Sequence, residues 1–253
     1  LKTNPGGAMA AEARKLVSTA AEEGGDDSLI EALAPAPGAD VSDQVQGLVE
    51  QAEALVRKAK KNEAAAKYRE VLTFDRSNED AITFLEPYLR QTRKFQDLRD
   101  VLLTAARDPN ADEERRKGYF REVAGLCETQ LRDAETATTA LKELLAVDVT
   151  DDGARSQLKR LLEKAQQWDE LASVMAQEAE QVLDVEARIS LEKALAKLHE
   201  QKRKDPVSTG EAWARIAGLT SGDDEAINTA VGYFEKGERA DLAVVVITEN
   251  LPA

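Results

Sequence analysis

The sequence has almost none of the side chains that metal sites and nucleophilic catalysis require. Its 253 residues include one cysteine, Cys127, and one histidine, His199. A single cysteine excludes an intrachain disulfide, and the pair cannot form a structural zinc set of the usual spacing. Cys127 has no evident base beside it to activate a thiolate. We predict no cofactor, no metal and no enzymatic activity, with both residues at half-exposed boundary positions.

Long apolar runs and excess positive charge are also missing. No run of 18 apolar residues occurs, so the sequence predicts no membrane insertion. The net charge of −14 opposes binding to phosphate backbones, so nucleic acid is not an expected partner. A composition with 32% charged and 42% hydrophobic residues is typical of a soluble protein, and the Ala- and Arg-rich usage favours a bacterial source.

Loops that bind phosphate or calcium are absent as well. The glycines of EEGGDD (22–27) lie among carboxylates, which would repel phosphate. The segment DVTDDGARSQLK (148–159) is superficially similar to a calcium loop, but Lys159 stands where the twelfth position needs a bidentate acid. We interpret this segment as a turn followed by the start of a helix.

What the sequence does contain is helical periodicity. Aromatics are only 4%, whereas the helix formers Ala, Leu, Glu and Arg are abundant. Residues 1–40 include the breaker-rich EEGGDD and APAPGAD, which predict a flexible or partly helical N-terminal segment. From Val41 onward we predict an all-α domain without β-sheet, over 41–253. Its six helix pairs are 42–60 with 62–74, 79–92 with 95–107, 111–130 with 133–147, 152–166 with 168–182, 185–202 with 206–218, and 223–236 with 239–250.

The helix pairs recur at a regular spacing. The predicted turns within pairs fall near Asn62, Lys94, Arg132, Gln167, Lys204 and Glu238. Their separations are close to 35 residues, which is typical of a helix-turn-helix solenoid. A longer similarity aligns 84–102 with 157–175 at an offset of 73, and 123–133 with 195–205 at an offset of 72. Apolar residues match apolar residues in both alignments, as expected of packing in a repeated unit.

The first helix pairs resemble the tetratricopeptide (TPR) repeats. Small and large apolar residues stand at the family's positions in the first pair, at Ala52, Leu55, Ala59, Ala64, Tyr68, Val71 and Leu72. The next loop has Asp75 and Asn78, with Arg76 where the family favours proline. Phe95 and Trp168 take the aromatic position in pairs two and four. The resemblance implies a right-handed α–α superhelix of about six helix pairs, a TPR-like solenoid.

The resemblance also implies a function. In TPR proteins the first helices of the pairs form a concave face that binds a partner peptide or helix. The corresponding residues of this chain are Gln46, Val49, Glu53 and Arg57 in pair one, Asp80, Thr83, Pro87 and Arg90 in pair two, and Ser156, Arg160, Glu163 and Lys164 in pair four. The expected function is a non-catalytic scaffold for a protein or peptide partner. The alternative is a structural spacer or self-associating segment, in which these residues are only a solvated face.

Two further features bear on partners. Residues 57–107 carry twelve Lys/Arg against eight Asp/Glu, which favours attraction of an acidic partner or of the molecule's own acidic tail. The last predicted helix is the most apolar of the chain. Its side chains Leu242, Val244, Val245 and Ile247 predict either that further repeats follow or that this end packs on another subunit, by self-association.

Overall fold

The computed structural model describes residues 40–250, and in that range the fold consists of helices only. It contains twelve α-helices and no β-strand between those limits. In chain order they are α1 (Val41–Arg57), α2 (Lys61–Phe74), α3 (Glu79–Gln91), α4 (Phe95–Ala106), α5 (Glu113–Leu126), α6 (Ala134–Val147), α7 (Asp152–Lys164), α8 (Trp168–Gln181), α9 (Val185–Leu198), α10 (Pro206–Leu219), α11 (Asp224–Lys236) and α12 (Ala240–Glu249).

These helices form six antiparallel hairpins, α1 with α2 through α11 with α12. The predicted TPR-like, all-α fold is confirmed for the described residues, and the helix bounds lie within a few residues of the prediction. The described residues divide into two compact units, one before and one after the boundary between Thr150 and Asp151. We call them unit 1 and unit 2. The predicted N-terminal segment lies outside the described residues, apart from Asp40.

Helix starts are set by short acidic or amide side chains. The first helix of every hairpin follows an Asp or Asn whose side-chain oxygen accepts a backbone N–H of the first turn; these caps are Asp40, Asn78, Asp112, Asp151, Asp184 and Asp223. Each such cap is worth about 1 kcal/mol because it satisfies an otherwise unpaired donor. Among the second helices, only α6 and α10 have a side-chain cap, from Asp133 and Asp205.

The hairpin turns are alike in backbone geometry. Each passes through one left-handed residue other than glycine, with φ between 55° and 58°, at Ala59, Arg93, Arg132, Gln166, Lys204 and Glu238. Successive members of this set are 34, 39, 34, 38 and 34 residues apart. The spacing therefore alternates, and two hairpins together make one repeat of 72 or 73 residues.

The longer spacings have a structural cause. In the third and fifth hairpins the first helix ends in a five-residue π-helical segment, Cys127–Leu131 and His199–Arg203, before the left-handed residue. The backbone N–H groups of Asp133 and Asp205 then return to the carbonyls of Cys127 and His199, at 2.9 and 3.1 Å. The 72-residue offset seen in the sequence is thus reproduced in the backbone.

The burial of Cys127 and His199 corrects one prediction. Cys127 is fully buried and His199 is only 6% exposed, whereas both were expected at half-exposed positions. Both residues continue the buried face of the preceding helix at the ordinary α-helical spacing. Cys127 follows the buried Phe120 and Ala124 at steps of seven and three, and His199 follows the buried Glu192 and Ala196 at the same steps.

In unit 1, small residues allow close packing within hairpins, and an aromatic residue joins one hairpin to the next. Ala52 and Ala64 are fully buried in α1 and α2. Tyr68 of α2 is buried, and its ring centroid lies 4.8 Å from that of Phe84 in α3. The Tyr68 ring thus fills space between α2 and the hairpin that follows it.

In unit 2, helices α10 and α11 approach each other closely at Gly210. A Cβ atom on Gly210 would stand 2.8 Å from two ring carbons of Phe234. Phe234 is buried in a cluster with Ala230, Ala243 and Val246. The absence of a side chain at Gly210 is therefore what admits the phenylalanine ring against α10.

Candidate peptide-binding groove

A groove of about 470 Å³ lies in unit 2 between α7 and α9, with side chains of α8 at its base. We call it the α7–α9 groove. Its lining residues are Ser156, Lys159, Arg160 and Glu163 of α7, Leu171 and Met175 of α8, Ala194, Lys197 and Leu198 of α9, and Gln201 and Lys202 of the π-helical segment.

Helix geometry explains why these side chains converge. Ser156, Arg160 and Glu163 follow one another at steps of four and three, so they share one face of α7. These three are predicted site residues, and the structure brings them together. The fourth member of that predicted set, Lys164, is exposed but does not line the groove.

The base of the groove is apolar. Leu171 and Leu198 are buried, and Met175 is half-buried between them and solvent. A methionine side chain is unbranched and polarizable, so it adapts to differently shaped apolar groups. The groove thus offers an apolar floor to a side chain that enters from solvent.

The rim of the groove is basic. Four lining side chains are cations, and Glu163 is the one carboxylate among them. Lys159 is neutralised by an ion pair of 2.5 Å with Glu178. The ammonium group of Lys202 lies 5.1 Å from the ring centroid of Trp168, which holds it in place by a cation–π contact.

Four of the other predicted site residues lie on the corresponding helix of unit 1. Asp80, Thr83, Pro87 and Arg90 are all exposed on α3. The Arg90 guanidinium donates to Glu86 at 3.2 Å and also forms an ion pair with Glu122 of α5. Arg90 therefore spans the space between α3 and α5.

The predicted residues of the first hairpin are less uniform. Gln46 and Arg57 are exposed and Glu53 is half-exposed, with Arg57 donating to Glu53 at 3.1 Å. Val49 is only 6% exposed, so it offers a partner little surface, and its assignment to the partner-binding face stays a prediction. An apolar side chain at this position of α1 packs inward because burial of its surface is favourable.

The basic segment 57–107 is largely paired within unit 1. Salt bridges join Arg69 to Asp97 at 2.5 Å and Arg107 to Glu143 at 2.7 Å, in addition to the contacts of Arg57 and Arg90. These pairs reduce the field that this segment would exert on an acidic partner. The sequence could not reveal them because each joins residues 28 or 36 positions apart.

A second cavity, of about 730 Å³, lies between the loops that follow α2 and α4. Its polar groups satisfy one another. The Ser77 hydroxyl donates to Asp108 at 2.8 Å, and the backbone N–H of Asn110 donates to the same carboxylate at 2.9 Å. These bonds hold the pKa of Asp108 below its usual range, with the Asn110 N–H as the larger cause. The cavity is a loop junction that sequence reasoning did not single out.

The environments of Cys127 and His199 both favour the uncharged form of the side chain. Burial raises the pKa of the Cys127 thiol to about 11. Burial, aided by the neighbouring Arg203 guanidinium, lowers the pKa of His199 to about 4. Within residues 40–250 no cluster of His, Cys, Asp and Glu has the arrangement of a metal site.

The predicted interface on the last helix is apolar and faces solvent. Val244, Val245 and Ile247 of α12 are 59%, 45% and 42% exposed, and Leu242 is half-buried. The opposite side of α12 packs on α11 through Ala243 and Val246. None of the described helices is long and apolar enough to cross a membrane.

The fold and the groove define a class, a helical-hairpin repeat protein of TPR-like type. No protein-family model matches the sequence, and no curated protein matches it. The solved structures that match do so at low sequence identity. A chain of the Naa15/Naa10 complex bound to HypK-THB is 15% identical over 80% of this chain, with a TM-score of 0.44, and this chain covers 30% of that chain's length.

For two other solved proteins, the alignment with this chain covers most of their own length. YrrB, described as a TPR protein with an unusual peptide-binding site, is 16% identical over 72% of this chain and 89% of its own, with a TM-score of 0.34. PilF of Pseudomonas aeruginosa is 16% identical over 86% of this chain and 96% of its own, with a TM-score of 0.34.

Proposed function

We propose that this protein is a non-catalytic interaction scaffold that binds a peptide or helix of a partner protein in the α7–α9 groove. The observation that carries the proposal is the groove itself. Two helices flank an apolar base, and polar side chains line the rim, as in sites that bury one apolar group and fix its orientation by polar contacts. The rim includes Ser156, Arg160 and Glu163.

The experiment fills the groove without changing the fold. Ala194 lines the groove and is exposed, so Ala194→Arg places a long side chain inside it. Ala146→Arg on α6 is the matched control, since Ala146 is exposed on a helix of unit 1. Proteins captured from source lysate by the immobilised chain are compared by mass spectrometry, after circular dichroism has verified equal helicity.

A partner captured by the wild type and by Ala146→Arg, but lost with Ala194→Arg, is the expected result. Equal capture by all three chains would remove the α7–α9 groove from the proposal.

A second candidate function is self-association through α12, and the solvent-facing Val244, Val245 and Ile247 favour it. Contiguous apolar surface of this kind often marks an interface. Sedimentation velocity over a hundredfold concentration range tests it, with Val244→Asp/Ile247→Lys as the comparison. A dimer that the double variant abolishes supports this function, whereas a monomer at every concentration rules it out.

A further inference from the structure

The internal repeat gives the α7–α9 groove a counterpart in unit 1. An offset of 73 relates α7 and α8 to α3 and α4, and an offset of 72 relates α9 to α5. The counterpart therefore lies between α3 and α5, and we call it the α3–α5 groove. Because the two backbones are equivalent, differences between the grooves arise from side chains.

The α3–α5 groove is bridged and the α7–α9 groove is open. Arg90 of α3 pairs with Glu122 of α5, which ties one wall of the groove to the other. The equivalent positions in unit 2 are Glu163 and Ala194. Alanine has no group that can pair with Glu163, so this bridge cannot form across the α7–α9 groove.

The two grooves also differ in charge. At the position of Lys159 the α3–α5 groove has Glu86, and at the position of Arg160 it has Pro87. The basic rim of the α7–α9 groove is thus a local exception on a chain with a net charge of −14. Cations gathered at one concave place on an acidic surface focus their field there.

The cations stand above an apolar floor. Arg160, Lys197 and Lys202 line the rim, while Leu171 and Leu198 are buried below them. A volume of about 470 Å³ falls within the range of roughly 300–1,000 Å³ typical of ligand pockets. A matching ligand would place an apolar side chain on the floor and carboxylates beside the cations.

We infer that the α7–α9 groove selects an acidic peptide segment of a partner protein, one that inserts an apolar side chain between its carboxylates, and that the α3–α5 groove does not bind peptide. This inference rests on the proposed function, that the α7–α9 groove binds peptides, and adds the chemistry of the partner.

Selection of binders from a random peptide library tests this inference without assuming a ligand. A phage-displayed library of random 12-residue peptides is selected on the full chain at low salt. The expected winners carry Asp or Glu on both sides of a Leu, Ile, Met or Phe. Winners that are basic or uncharged would overturn the inference while leaving peptide binding intact. A library with no winners would overturn the proposed function itself.

The selected peptide is then measured against charge-reversed chains by fluorescence anisotropy. Arg160→Glu/Lys197→Glu is expected to weaken binding at least tenfold. The control Lys61→Glu/Lys142→Glu changes the net charge equally at exposed positions of unit 1 and should leave binding within about twofold. Similar losses in both would mean that overall charge, rather than the α7–α9 groove, attracts the peptide, and would overturn the inference.

Introducing the Arg–Glu bridge of the α3–α5 groove into the α7–α9 groove distinguishes the effect of blocking the groove from the effect of its charge. Glu163→Arg/Ala194→Glu introduces into unit 2 the residue types that bridge the α3–α5 groove, while making the chain more positive. If the bridge closes a groove, binding of the acidic peptide falls at least tenfold despite the added positive charge. Unchanged or tighter binding would overturn the bridge argument, and with it the distinction between the two grooves.

Discussion

His199 occupies in unit 2 the place that Cys127 occupies in unit 1, 72 residues earlier. Each is the first residue of a π-helical segment, each is buried, and each offers its carbonyl to the backbone N–H of the helix-capping aspartate that follows. Two chemically different side chains thus serve one backbone feature. Both side chains are buried, and burial disfavours the charged form of each.

The unfolding free energy should depend on His199 at mildly acidic pH. The His199 pKa is lowered to about 4 by burial and by Arg203, whose guanidinium lies 2.8 Å from Nδ1. In the unfolded chain the imidazole takes up its proton at about pH 6.5, whereas in the folded chain it does so only at about pH 4. The free energy of unfolding therefore falls by up to about 3 kcal/mol as the pH drops from about 6.5 to 4, and this contribution is constant at lower pH. Urea unfolding of the wild type and of His199→Gln at several pH values measures it.

The informative quantity is the difference between the two curves, since carboxylates titrate in both proteins. The wild type should lose stability relative to His199→Gln as pH falls through this window. Parallel curves would contradict a buried, neutral His199.

Cys127 should be inert toward thiol reagents in the folded chain. Burial raises the pKa of its thiol to about 11 and leaves none of its surface exposed. Reaction requires opening of the structure, so the native rate with a disulfide reagent should be at least about a thousandfold below the rate in denaturant. Stopped-flow absorbance compares the two rates, and similar rates would place the thiol at the surface.

Two glycines of α10 should respond oppositely to alanine. At Gly210 the added Cβ would meet the Phe234 ring at 2.8 Å, whereas at Gly218 nothing lies within 4 Å. Gly218→Ala should stabilise by about 0.5–1 kcal/mol, since alanine favours helix. The free energy of unfolding of Gly210→Ala should be about 1–3 kcal/mol lower than that of Gly218→Ala, because the added methyl group overpacks the contact with Phe234. Thermal and urea unfolding of both variants measure this difference, and equal stabilities would refute the close approach.

Removing only one partner of the ion pair between Glu192 and Arg215 should destabilise the fold more than removing both. Glu192 is 2% exposed, its Oε1 accepts from Arg215 at 2.9 Å, and its Oε2 accepts no hydrogen bond from the described residues. Arg215→Met leaves a buried carboxylate unpaired and should cost about 1–3 kcal/mol, less than for a fully buried pair because Arg215 is 40% exposed. The double variant Glu192→Leu/Arg215→Met should recover most of that loss, which a double-mutant cycle measures.

Local information in the sequence was enough to place the helices. Asp and Asn caps mark the start of each hairpin, and the small-large pattern around Ala64 and Tyr68 marks the buried faces. Ser156, Arg160 and Glu163, which line the α7–α9 groove, were assigned from family position, and their steps of four and three place them on one face of α7.

Features that depend on distant residues could not be predicted in this way. The bridge from Arg90 to Glu122 joins residues 32 positions apart, and neither side chain specifies its partner. The burial of Cys127 and His199 was missed although each lies seven residues after a buried residue on the same helix face, because a cysteine and a histidine are not marked as core residues by their polarity. Val49 was assigned from family position, although its own apolar character favoured the interior.

The alternating spacing of the left-handed turn residues indicates the unit by which a chain of such hairpins can be lengthened or shortened. From the second hairpin to the sixth, ordinary and π-extended hairpins alternate, so the block that repeats over this stretch is four helices long. Within this stretch, gain or loss of one hairpin would break the alternation, whereas gain or loss of a four-helix block would preserve it. Growth by pairs of hairpins also lets the copies diverge in side chains, as the Arg90–Glu122 pair and its counterparts Glu163 and Ala194 illustrate.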